Sequence, residues 1–165
     1  RRVLLALRGL GCKVVTVGHS LGCRVALRAL RSEEQCMPSE EGALCRHLLL
    51  LAAAVPAGAL APAGEFPRSY VDCEQLTVLT SKHDEILRNY FTVGEVASGT
   101  LSTKSEKVSA LGLVGPQPQD LADVRWIDFS DCVTNHNPNL WLMQPSVQQV
   151  LTEAIAAVLA LGAAP

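Results

Sequence analysis

One serine stands out among the residues that could do chemistry. Ser20 lies in Gly18-His19-Ser20-Leu21-Gly22, after a β-branched run (Val14, Val15, Thr16, Val17) and before a stretch with helical apolar spacing (Val25, Ala26, Leu27, Ala29, Leu30). A nucleophilic serine needs that order of strand, Gly-x-Ser-x-Gly turn and helix, because a tight, strained turn lifts the hydroxyl above the strand's C-terminal end. The spacing predicts glycine at both 18 and 22 because a β-carbon there would collide with neighbouring backbone. It also puts the Leu21 N–H at a helix N-terminus, aimed at the oxygen of an attacked carbonyl. The bland alternative is a Gly-rich βα turn that merely packs closely. The flanking strand and helix favour the nucleophile. His19, inside the motif, is expected to shape the turn rather than act as a base.

Around this motif the chain reads as alternating strands and helices. Residues 1–10 have helical spacing (Val3, Leu4, Leu7, Leu10) and stop at Gly9 and Gly11. Residues 14–17, 47–54, 76–81 and 124–129 read as buried strands. Helices are predicted over about 25–34, 84–96 with Asp84 as N-cap, and 145–161 with Pro145 in the first turn and Gly162 beyond the end. Residues 36–46, 55–70 and 98–120, rich in Pro, Gly or Ser, read as loops or short excursions. Buried strands joined by helical crossovers predict an α/β fold, a parallel sheet with flanking helices. No repeat or internal boundary is visible, so residues 1–165 read as a single domain.

The segment Val17-Gly-His-Ser-Leu-Gly22 resembles the elbow of lipases, esterases and thioesterases of the α/β-hydrolase family. The resemblance implies a triad in chain order serine, acid, histidine, acting on an ester-like bond with neither metal nor organic cofactor. Of four histidines, His19 and His47 precede any suitable acid, and His83 adjoins the best one. His136 alone lies downstream, in a loop after the fourth strand, where the family keeps its base. For the acid, the family pattern points just past the strand two beyond the elbow, where Leu76-Thr-Val-Leu-Thr-Ser-Lys-His-Asp84 resembles that strand and its Ser-x-x-Asp end. Asp84 would hold the imidazole's tautomer and stabilise the imidazolium. Glu85, Asp128 and Asp131 stand in reserve. The bland readings are an N-cap for Asp84 and a solvated turn residue for His136.

The four strands correspond to the elbow strand and the three after it, a partial α/β-hydrolase fold covering about half of the family's sheet. The chain lacks an initiator Met and opens inside a helical pattern, so it reads as a piece of a longer protein. The family's second oxyanion N–H comes from a loop before the elbow strand, which is missing here, and the elbow strand would expose an apolar edge. These residues alone are therefore expected to be poorly active and poorly soluble. Residues 55–70 lie where the family inserts a lid. They are short and Pro-rich, with Leu60, Phe66 and Tyr70 as contact side chains, which implies an accessible site.

Composition excludes several classes. A net charge of −2 with no basic cluster beyond Arg1-Arg2 gives nucleic acid nothing to bind. No apolar run approaches the about 20 residues of a membrane-spanning helix. Cys12, Cys23, Cys36, Cys45, Cys73 and Cys132 show no zinc-like spacing and read as buried free thiols of a reducing, cytoplasmic compartment.

The leading reading is a serine hydrolase acting on a carboxylic ester, lipid or thioester through an acyl-Ser20 intermediate, with acyl transfer to an alcohol as a variant. Its partner is then a small-molecule or lipid ester. The alternative is a catalytically inactive binding or scaffolding module, for which a strained serine between two glycines has no use. A nucleotide-binding domain would need a phosphate-cradling loop, and none is present.

Overall fold

The computed structural model describes residues 1–30, 43–67, 72–97, 108–116 and 124–160. Four strands, β1 (Val15–His19), β2 (Cys45–Leu51), β3 (Cys73–Thr80) and β4 (Val124–Asp128), form one sheet in the order β1-β2-β3-β4. All three pairings are parallel. Helices α1 (Arg2–Gly9), α2 (Leu21–Leu30), α3 (Glu85–Ala97), the single turn α4 (Leu111–Val114), α5 (Pro138–Met143) and α6 (Pro145–Ala160) complete the α/β architecture.

The leucine run of β2 explains why this sheet is covered on both faces. Side chains alternate along a strand, so a strand apolar at every position must bury both sides. Leu48 and Leu50 join a core with Cys23, Ala26, Leu27 and Leu30 of α2. Leu49 and Leu51 join another with Leu87 and Phe91 of α3 and Val147 and Val150 of α6. Each of these leucines is fully buried.

Register decides where the site can lie. His19 pairs with Leu51, Leu51 with Leu79, and Thr80 with Asp128, so the strands end level with one another. The four exits therefore gather Ser20, residues 52–54, residues 81–84 and residues 129–136 at the carboxyl edge, where ligands bind in parallel α/β sheets.

Several sequence expectations shift. β2 begins at Cys45 rather than at 47, and β3 at Cys73 rather than at 76, because Cys45 and Cys73 pair with each other. The predicted loop around His136 runs into α5, whose N-cap Asn137 accepts from the Asn139 N–H. Leu60 and Phe66 do not stand over the site. Both are buried in the core with α2, because the turns of 56–67 fold inward, held by hydrogen bonds such as Phe66 N–H to Ala59 O (2.7 Å). Tyr70, Cys36 and Gly162, and most of the predicted loops 36–46 and 98–120, lie outside the described residues. Cys23, Cys45 and Cys73 are buried free thiols as expected, whereas Cys12 and Cys132 are exposed.

Candidate active site

Ser20 follows β1 directly and starts the turn into α2 with a φ of +55°, one of two non-glycine residues described in the left-handed region. That conformation costs about 1–3 kcal/mol and persists only where the surroundings enforce it. Here the exit of β2 enforces it from both sides. Ser20 N–H donates to Leu51 O (3.0 Å), and Ser20 O accepts from Ala54 N–H (3.2 Å) and Cys23 N–H (3.1 Å). The other strained residue, Ala52 at φ +46°, lies within that same exit.

The two glycines of the motif are not equivalent. A β-carbon on Gly18 would stand 2.9 Å from Cys23 Cα and 3.0 Å from Cys23 N, so glycine alone lets strand and helix approach this closely. A β-carbon on Gly22 would meet nothing within 4 Å, which corrects the expectation of a collision there: Gly22 already lies in α2 and faces open space.

Asp84 follows the end of β3 and is fully buried. Its Oδ1 accepts from the Leu87 N–H (3.0 Å), capping α3, while its Oδ2 lies 2.7 Å from His136 Nδ1. The cap of α3 and the contact with His136 are thus made at once, one by each oxygen. A carboxylate only accepts, so Nδ1 carries the imidazole proton and Nε2 is left to accept. His136 Nε2 lies 2.8 Å from Ser20 Oγ. The structure therefore brings Ser20, His136 and Asp84 into one hydrogen-bonded line. Leu21, also named from the sequence, is the first residue of α2, and its N–H has no partner within the helix.

The reserve acids lie elsewhere. Asp128 Oδ1 accepts from the Ser130 N–H (2.9 Å), and Glu85 and Asp131 are exposed. His83 is exposed, and His47 is buried in the sheet with Nε2 2.8 Å from Thr77 Oγ1.

The loop bearing His136 is pinned from three directions. Buried Trp141 donates from Nε1 to Asn135 O (3.1 Å) and packs edge-on against Phe129. Asn135 Oδ1 accepts from the Asn137 N–H (2.8 Å), an Asx turn that holds the backbone on either side of His136. Ser81 Oγ donates to Val133 O, tying the exit of β3 to the same loop. The Asn-His-Asn-Pro-Asn spacing carried this signal, since asparagines two apart followed by Pro spell consecutive turns and a helix start.

No local sequence signal marks the place of His19. Its ring lies 4.9 Å from that of His136, centroid to centroid, tilted by 49°. Burial, and then the charge His136 can carry, lower the pKa of His19. Cys23, three residues from Ser20, offers no rival nucleophile because burial pushes its thiol up to about 12.

Comparisons of the chain with protein-family models, with curated proteins and with solved structures found no match. Among the described residues no group of His, Cys, Asp and Glu could hold a metal ion, and no helix is long and apolar enough to cross a membrane.

A groove of about 570 Å³ opens beside Ser20. One wall is α2, through Leu21, Arg24 and Arg28. The other is α3, through Ile86, Leu87, Tyr90, Phe91, Gly94 and Glu95. The volume lies within the range of small-molecule sites.

Proposed function

We propose that this chain is a serine hydrolase of the α/β-hydrolase type, cleaving an ester-like bond through an acyl-Ser20 intermediate. The observation that carries the reading is the line of hydrogen bonds from Ser20 Oγ to His136 Nε2 (2.8 Å) and from His136 Nδ1 to Asp84 Oδ2 (2.7 Å). It begins on a serine held at φ +55°.

Each group has a defined part. As Oγ attacks the carbonyl carbon, its proton passes to His136 Nε2, and buried Asp84 stabilises the resulting imidazolium without taking its proton. The carbonyl oxygen becomes an oxyanion facing the Leu21 N–H and the positive end of α2. The tetrahedral intermediate collapses, its bond to the leaving group breaks, and His136 returns the proton to the departing oxygen or sulfur. Water then repeats the cycle: His136 takes its proton, its oxygen bonds to the acyl carbon, and the Ser20 ester breaks as Oγ regains a proton. An alcohol in place of water would give acyl transfer.

Labelling by a fluorophosphonate probe tests the reading directly, because the probe reacts with activated serines. The protein should label, and Ser20→Ala should not. A folded protein that takes up no probe would sink the proposal and leave the binding-module reading in its place.

A further inference from the structure

The groove beside Ser20 has a direction, a lining and an end, and these describe what it would hold. It begins at Ser20 and runs between α2 and α3 as far as Arg28, eight residues further on, or about 12 Å along the helix axis. Leu87 and Phe91 are buried in its α3 wall, while Leu21 (65 % exposed) and Tyr90 (63 %) hold apolar surface open at its rim. Large apolar side chains kept uncovered on facing helices mark a binding surface rather than a solvated one.

The far end is polar but already occupied by opposite charges. Arg24 Nη1 lies 2.7 Å from Glu65 Oε2, and Arg24 Nη2 lies 2.5 Å from Glu95 Oε1. Arg28 Nη2 lies 3.0 Å from Glu65 Oε1. Both guanidinium groups thus face carboxylates, so the end of the groove is a poor receptor for a further anion.

Gly94 lines the groove on its α3 side. A β-carbon added there would meet nothing within 4 Å, so a side chain at this position would have room to project into the groove. Helix interiors disfavour glycine, and Gly94 lies inside the 13-residue α3.

We propose that this groove is the acyl-binding site, that it takes an uncharged apolar acyl arm of about octanoyl length, and that Gly94 sets how long an arm it admits. The assignment rests on Ser20 being the nucleophile, because the groove matters to the reaction only as the place where the acyl group of the ester lies.

The test compares three p-nitrophenyl esters on the full chain: the acetate, the octanoate, and the adipate half-ester, whose arm ends in a carboxylate. Wild type, Gly94→Ala and Gly94→Leu are assayed, with fluorophosphonate labelling alongside. Each buried methylene favours binding about fourfold, so kcat/KM for the octanoate should exceed that for the acetate by about tenfold or more. The adipate half-ester should fall below the octanoate. Gly94→Leu should lower the octanoate-to-acetate ratio by about fivefold or more, with Gly94→Ala in between. Both variants raise helix propensity, so folding is not at risk. If the protein labels and cleaves acetate but the ratio is flat, or is indifferent to Gly94→Leu, the groove assignment fails and the serine reading stands. A preference for the adipate half-ester overturns the uncharged arm. Neither labelling nor cleavage of any ester overturns both readings together.

Discussion

His19 and His136 lie ring against ring, 4.9 Å apart, although 117 positions separate them in the chain. The residue next to Ser20 thus packs on His136, so in the proposed mechanism the turn that presents the hydroxyl would also help to hold the imidazole. His19→Ala should lower kcat about tenfold with little change in KM, since a base displaced by a fraction of an ångström loses rate before it loses substrate. Steady-state kinetics on a short ester separates the two, and an unchanged kcat would remove His19 from any positioning role.

Asp84 offers a cleaner division of labour. In Asp84→Asn the side-chain oxygen can still cap α3 through the Leu87 N–H, while the amide now donates to Nδ1 and imposes the wrong tautomer. Activity should fall about 10⁴-fold. Stability should change by less than about 1 kcal/mol, whereas Asp84→Ala should add the loss of the cap, about 1 kcal/mol. Denaturant titration beside kinetics reads both effects.

The glycines of the motif should part company on mutation. Gly18→Ala forces a β-carbon against Cys23 Cα and should destabilise by about 1–3 kcal/mol. Gly22→Ala adds a methyl to open space inside a helix and should stabilise by about 0.5–1 kcal/mol. Chemical denaturation midpoints with unchanged slopes would report this difference.

Two partly desolvated histidines, buried His47 and half-buried His19, make the fold sensitive to acid. Burial first, then the Arg125 charge, lowers the pKa of His47, and burial and then His136 lower that of His19. Their folded values lie below the ordinary 6.5, so the unfolded chain binds protons more readily than the folded one. Their effect on stability is therefore absent well above pH 6.5, and stability is lost as pH falls through that value, by at most about 1.4 kcal/mol per pH unit for each histidine. Melting temperature should drop between pH 7.5 and 5.5, and His47→Gln, which keeps a polar partner for Thr77, should flatten the drop. An identical pH dependence in the variant would show that His47 does not titrate on unfolding.

What the sequence made legible follows a physical divide. Val14 to Leu30 could be read because β-branched run, glycine turn and helical spacing are local signals, and the elbow lies where they placed it. Asp84 and His136 were placed by family order, and the hydrogen bonds that join them to Ser20 are a matter of register between strands. Where a strand begins depends on its partner, which is why the starts of β2 and β3 moved to the paired Cys45 and Cys73. Gly22 looked obligatory because it matches a pattern, yet the space around it depends on what packs there. The His19–His136 contact joins residues that no local rule connects.

The bracing of Ser20 by Leu51 O and Ala54 N–H also bears on the order of assembly. The backbone geometry of Ser20 exists only once β1 has paired with β2, and His136 arrives from 116 residues away, Asp84 from 52 residues before His136. Contacts of such long range close late, because chain entropy must be lost before they form. The reactivity proposed for Ser20 would therefore be a clock for the final stage of folding: in a refolding time course, it should appear after helical signal has recovered and together with the burial of Trp141.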